Sequence, residues 1–197
     1  MSYLALRKIK PLFFSYNEVA DRLKIKPDSA RVLCSRYVSG NFLIRLKRNV
    51  YMLRERWDYI DYSDLMRLAN IVQVPSYISL TTALSYYGYT TQIQQNYVES
   101  VCLNRTYNKV IDSVEFTYTK VSPRYYSDFG KLNGVFIALP EKALADALYL
   151  ASMGRYSLDA SALEISKFNS QKLKNLIDRY PEKTKKFWRS YEVAGTA

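Results

Sequence analysis

Histidine is absent from the 197 residues, which removes the commonest general base and the commonest metal ligand. Only two cysteines occur, Cys34 and Cys102, far apart in the chain. With no histidine beside them they make no zinc site of the usual ligand types. As lone thiols they suit a reducing cytoplasm, where they act as small buried hydrophobes. The six glycines are scattered singly, so there is no glycine-rich phosphate loop. No internal repeat or low-complexity tract is present. Long apolar runs are missing as well. Arg7, Lys8 and Lys10 interrupt the N-terminus before an apolar run reaches the length of a signal-peptide core. The longest uncharged stretch, between Arg67 and Glu99, contains Gln73, Pro75, Gln92, Gln94, Gln95 and Asn96, whereas a spanning helix needs ~20 predominantly apolar residues. A soluble chain is expected.

Tight acidic clusters are also lacking. Carboxylates do occur in near pairs, such as Asp58 with Asp61 and Asp112 with Glu115. The first most simply caps or charges the start of a helix, and the second flanks a strand and faces water. A metal-dependent nuclease or nucleotidyl transferase needs a tighter cluster and a phosphate-binding loop. The expectation is therefore no metal, no cofactor and no enzymatic activity.

What the chain does have is positive charge, unevenly placed. Its formal net charge is +11. The first 56 residues hold thirteen of the 29 Lys and Arg against four acids (Glu18, Asp21, Asp28, Glu55), a net charge of +9. The other 141 residues carry only +2. A basic terminal module on a near-neutral body is the electrostatic footprint of a nucleic-acid binder. The hydrophobic fraction of 48% is globular, and the length suits a small module plus a mid-sized domain. We place the boundary at 56/57, giving modules 1–56 and 57–197.

The basic module reads as helix, turn, helix, hairpin. Leu4, Leu6 and Ile9 predict a short first helix ending at Pro11. Ser15 three residues before Glu18 is a capping box, and Val19, Ala20 and Leu23 supply the apolar run of a second helix over 16–24. Pro27 suits the first turn of a third helix, which Gly40 ends. In that helix Ala30, Leu33, Cys34 and Tyr37 fall at i, i+3, i+4 and i+7 as a core stripe. The opposite arc presents Asp28, Ser29, Arg31, Val32, Ser35, Arg36 and Ser39. Arginine can pair bidentately with guanine, serine can bond base edges or phosphate, and valine can touch a thymine methyl. As the second helix of a helix-turn-helix it sits where a recognition element belongs. Ser29, Arg31, Val32, Ser35 and Arg36 are thus the expected base readers. Two β-rich runs, 42–46 and 50–53, flank Lys47-Arg48-Asn49 and predict a hairpin, with Asn49 able to take the left-handed conformation its loop requires. Lys26, Arg45, Lys47, Arg48 and Asn49 are the expected contacts to a DNA backbone. The fold class is α+β, an N-terminal winged helix-turn-helix followed by a mixed C-terminal domain.

Across 57–197 the pattern predicts a linking helix over 57–70, then a helix carrying Leu80, Ala83, Leu84 and Tyr87, with Ser79 before it as cap and Gly88 after it. Residues 97–103 and 114–121 read as strands, the latter alternating Val114, Phe116 and Tyr118 with Glu115, Thr117 and Thr119. Val135-Phe136-Ile137-Ala138 reads as a short buried strand leading into a helix with Ala143, Leu144, Ala147, Leu148 and Ala151. Helices are expected from about 158 to 191. The nineteen tyrosines could stack on single-stranded bases, but pairs such as Tyr86-Tyr87 and Tyr125-Tyr126 lie in a nearly uncharged background, which favours packing.

Three stretches resemble the AbiEi family, the antitoxin half of a bacterial abortive-infection toxin–antitoxin pair. They are the segment 14–53 with its Ser-Arg-Tyr-Val-Ser-Gly-Asn-Phe-Leu junction (35–43) and Val-Tyr-Met-Leu run (50–53); Tyr-Ile-Ser-Leu-Thr-Thr-Ala-Leu-Ser-Tyr-Tyr-Gly (77–88); and Leu-Pro-Glu-Lys-Ala-Leu-Ala-Asp-Ala-Leu-Tyr (139–149), the most specific. Where the family often has glycine in the wing turn, this chain has Asn49. The resemblance implies a cytoplasmic transcriptional autorepressor that binds inverted repeats in double-stranded DNA of its own promoter. It also implies a functional partner, a nucleotidyltransferase-like toxin that the C-terminal domain counters with or without a stable complex. A stand-alone winged-helix regulator, or a module binding RNA or protein, remains the alternative at this stage.

Overall fold

The structure, a computed structural model, describes residues 2–194. It is mixed α+β, and the chain divides into two compact units, Met1–Leu68 and Ala69–Ala197.

The first unit opens with α1 (Ser2–Leu6), α2 (Tyr16–Leu23) and α3 (Pro27–Ser39), followed by an antiparallel hairpin of β1 (Leu43–Lys47) and β2 (Val50–Leu53). Helix α1 stops well short of Pro11, and residues two apart in a helix do not share a face, so Leu4 and Leu6 cannot both turn inward. Leu6 is buried while Leu4 is 60% exposed. The core gathers Leu6, Phe14, Val19, Ala30, Cys34 and Leu53. After the hairpin come α4 (Arg54–Trp57), which packs on both of its strands, and α5 (Tyr62–Val72). The helix expected over 57–70 therefore starts later: Trp57 ends α4, residues 58–61 are not helical, and α5 begins at Tyr62. The later start has a local cause, since the Asp61 carboxylate accepts the Asp64 backbone N–H at 2.7 Å and starts α5 anew. Asp61 is a helix-start acid, as its position suggested. The division between the units falls inside α5, later than the 56/57 boundary that the charge distribution indicated.

The second unit is built on a six-stranded mixed sheet. In chain order its elements are β3 (Ser76–Ile78), α6 (Leu80–Tyr86), β4 (Tyr97–Cys102), β5 (Tyr107–Ile111), β6 (Val114–Lys120), β7 (Phe129–Leu132), β8 (Val135–Ala138), α7 (Pro140–Ser152), α8 (Ser170–Ile177) and α9 (Glu182–Ala194). The strand order is β5-β6-β4-β3-β8-β7. Strands β4 and β6, and β3 and β8, run parallel, while the other neighbours are antiparallel. Central β4 is buried on both faces. From one face Tyr118, on neighbouring β6, reaches the Ala69 carbonyl at 2.9 Å; on the other face Glu99 meets Thr82 of α6. The alternation of Val114, Phe116 and Tyr118 inward is as expected. Between α7 and α8 the chain makes only short 3-10 turns, Ala160–Ala162 and Ile165–Lys167, so the helices expected from about 158 begin at Ser170. Ser79 precedes α6 without capping it, because its hydroxyl is bonded to Asp146 instead.

Candidate nucleic-acid interface

Helix α2 is fixed at both ends. The Ser15 hydroxyl accepts the Glu18 N–H at 3.3 Å, and the Glu18 carboxylate accepts the Ser15 N–H at 2.7 Å, closing the predicted capping box. At its other end Lys24 adopts φ 56, and the N–H groups of Lys24 and Ile25 both return to the Ala20 carbonyl. Three residues later Pro27 begins α3, where its fixed φ is already helical. Val19 and Ala20 of α2 and Ala30 and Cys34 of α3 are buried in one core. Burial of the Cys34 thiol pushes its pKa up to about 11, so it stays protonated and packs as a hydrophobe.

That packing turns the other face of α3 to solvent. Ser29, Arg31, Val32, Ser35 and Arg36 are all exposed, together with Asp28 and Ser39. The structure thus brings the five expected base readers onto one helix face. Val32 stands 49% exposed among them, an apolar contact point in a polar field. Ile25, Asp28, Ser29, Val32, Leu33 and Arg36 line a shallow depression of about 470 Å³ along this face. Arg31 sits 3.7 Å from Asp28, with both side chains well exposed. Such a pair is worth little in water, so the guanidinium is available to reorient. Sequence reasoning passed over Ile25, which lies outside the helical periodicity but joins the depression because the turn folds back beside α3.

The hairpin follows directly and β1 lies against α3. A β-bulge falls between Arg45 and Lys47, so Arg45 opposes Tyr51 and Lys47 opposes Val50. The inserted Leu46 is fully buried. Arg45 and Arg48 are exposed, and Lys47 is half-buried. Lys26 is exposed at the N-cap of α3 and makes no side-chain cap bond there. Asn49 takes φ 60, as anticipated, but its side chain does not point its carbonyl to solvent. Its Oδ1 accepts the Tyr16 backbone N–H at 3.0 Å. A reciprocal backbone pair, Phe14 N–H to Tyr51 O at 2.9 Å and Tyr51 N–H to Phe14 O at 2.8 Å, ties β2 to the residue before the α2 N-cap.

The second unit buries a small cluster of ionisable groups. Lys142 Nζ donates to Asp146 Oδ1 at 2.6 Å, to the Tyr125 carbonyl at 2.6 Å and to the Tyr180 hydroxyl at 2.8 Å. Asp146 also accepts from Tyr77 and Ser79, each at 2.9 Å, and from Tyr180 at 3.0 Å. The Lys142 and Asp146 side chains are 1% and 0% exposed. Burial, then the Asp146 charge, raises the Tyr77 and Tyr180 pKa values far above the ordinary phenol range. With every member bonded and no opening, the cluster is a cross-brace between β3, α7 and the segment before α9. Glu99 is a second buried acid, bonded to the Thr82 N–H at 3.2 Å and Gln94 Nε2 at 3.0 Å. The tyrosines stack on one another inside this unit, as Tyr125 does on Tyr180 with centroids 4.5 Å apart. Among the described residues no group of three or more Cys, Asp and Glu is placed to hold a metal ion, and no helix is long and apolar enough to cross a membrane.

The class these features define is an α+β protein whose small unit presents a polar, basic helix face beside a basic hairpin. No family model matches the chain, and no curated protein does. A solved structure is similar: the RV2827C protein from Mycobacterium tuberculosis aligns with a TM-score of 0.59 at 11% identity, over 92% of this chain and 71% of that one. At that identity the likeness is one of fold, and it extends over both units.

Proposed function

We propose that the first unit is a winged helix-turn-helix that binds double-stranded DNA. The α3 face of Ser29, Arg31, Val32, Ser35 and Arg36 would read bases, and Lys26, Arg45, Lys47 and Arg48 would hold the backbone. The observation that carries this reading is the complete outward exposure of the base-reading set on the helix that follows the turn. A solvated face with no task needs no such coincidence of two arginines, two serines and an exposed valine beside a basic hairpin. Taken with the resemblance to AbiEi antitoxins, the proposal is a cytoplasmic autorepressor acting at inverted repeats of its own promoter. The second unit would counter a nucleotidyltransferase-like toxin. The chain itself would carry no catalytic step, its buried Lys142 and Asp146 serving as architecture.

A gel shift on the duplex immediately upstream of the chain's reading frame tests this. Binding should be lost on combining Arg31→Ala, Arg36→Ala and Arg48→Ala; survival of full affinity would refute the assignment. Competition by a structured RNA as strong as that of the duplex would favour an RNA-binding module instead. A nucleotidyltransferase-like reading frame immediately downstream would support the antitoxin role, and its absence would favour a stand-alone regulator.

A further inference from the structure

We infer that Asn49 is a positioning residue for DNA binding: its side-chain amide caps helix α2 from the hairpin tip and so fixes where Arg45 and Arg48 stand relative to α3. This rests on the DNA-binding reading above and says how the wing is held in it.

The first N–H groups of a helix have no partner within it. At α2 the capping box satisfies the Glu18 N–H from Ser15. The Tyr16 N–H is served from 33 residues away, by Asn49 Oδ1 at 3.0 Å. Two demands meet at this position. The turn needs a left-handed residue, φ 60, which glycine or asparagine accepts readily. The helix end needs an acceptor, which glycine lacks. Asparagine answers both, and it is the residue by which this chain departs from the glycine frequent in AbiEi wing turns.

The consequence is mechanical. Phe14 holds the second strand of the hairpin at Tyr51, two residues past the turn, and Asn49 holds the turn itself. Because α2 and α3 share a core through Val19, Ala20, Ala30 and Cys34, a bond to the first residue of α2 sets the tip against α3 as well. The strands are held by their packing on α3 and α4, so freeing the turn would let Arg48, which lies in it, leave the position in which it and α3 engage one duplex together.

The test uses the full chain, the upstream duplex and fluorescence anisotropy across a salt series. Asn49→Gly keeps the turn and removes the acceptor. It should speed hydrogen exchange of the Tyr16 amide in the free protein and lower the slope of log affinity against log salt by about 0.9, one phosphate contact. Arg48→Ala should lower it equally, and adding Arg48→Ala to Asn49→Gly should change nothing more. If Tyr16 exchange quickens while slope and affinity hold, or if the two substitutions add, Asn49 is only a helix cap and the inference falls alone. A wild-type chain that binds no duplex overturns the DNA-binding reading along with it.

Discussion

Replacing Asp146 by alanine would leave the Lys142 ammonium buried without its counter-ion. Lys142 is 1% exposed and its 2.6 Å partner is the Asp146 carboxylate. What remains around Nζ is the Tyr125 carbonyl and the Tyr180 hydroxyl, dipoles in place of a charge. Tyr77 and Ser79 lose their acceptor at the same time. Breaking a buried pair from one side costs about 3–5 kcal/mol, set against a total of about 5–15 kcal/mol for a domain. The loss should therefore be a large share of the second unit's stability. Tryptophan placement makes the assay simple, since Trp57 lies in the first unit and Trp188 in the second. In a Trp57→Phe background, urea unfolding followed by Trp188 fluorescence reports the second unit alone. With a urea dependence of about 1–3 kcal/mol per molar, the midpoint should fall by at least about 1 M. Lys142→Met combined with Asp146→Ala should cost less than the two singles summed, by about 1 kcal/mol or more, because each single strands a charge and the double strands none. A loss below about 1 kcal/mol for Asp146→Ala, or strict additivity, would refute the view that Lys142 and Asp146 brace the unit as an ion pair.

Three other outcomes are expected. Arg31→Ala or Arg36→Ala should cost about 1–3 kcal/mol on the upstream duplex and relax preference at one base position, measured by anisotropy against base-substituted duplexes. Ser15→Ala should lower stability of the first unit by about 1 kcal/mol in thermal unfolding, since the Glu18 N–H loses its acceptor. The third concerns Glu99, whose carboxyl is raised above the ordinary 4.5, chiefly by burial. The folded state then holds that proton more tightly than the unfolded one, so Glu99 makes stability fall as pH rises from the ordinary value through the raised one. Glu99→Gln should flatten that fall, and a wild-type to variant difference that is constant or opposite in sign across that range would rule the cause out.

Much of the first unit was legible because its determinants are local. Ser15 and Glu18 are three residues apart, Pro27 and Gly40 bracket a helix, and Ala30 to Tyr37 repeat at helical spacing. What escaped depends on distant partners. Ser79 looks like a cap until Asp146, 67 residues away, claims its hydroxyl. Asn49 looks like a solvent-facing tip residue until Tyr16 is beside it. Strands β3, β5 and β7 carry no clean alternation, because β3 is buried on both faces and β5 and β7 form the sheet edges. Lys142 and Asp146 lie together at the centre of a core, which no periodicity encodes. The exposed face of α3 differs from all of these, since helical geometry alone decides which side of the helix is outward once Ala30 and Cys34 are inward.

The central claim is that the α3 face reads sequence. The most direct measurement is the affinity of the full chain for its upstream duplex and for a shuffled duplex of the same length and composition, at one physiological salt concentration. The account predicts a preference of about a thousandfold or more for the upstream sequence, abolished by Arg31→Ala with Arg36→Ala while weak salt-dependent binding persists. Equal affinity for the two duplexes would contradict it.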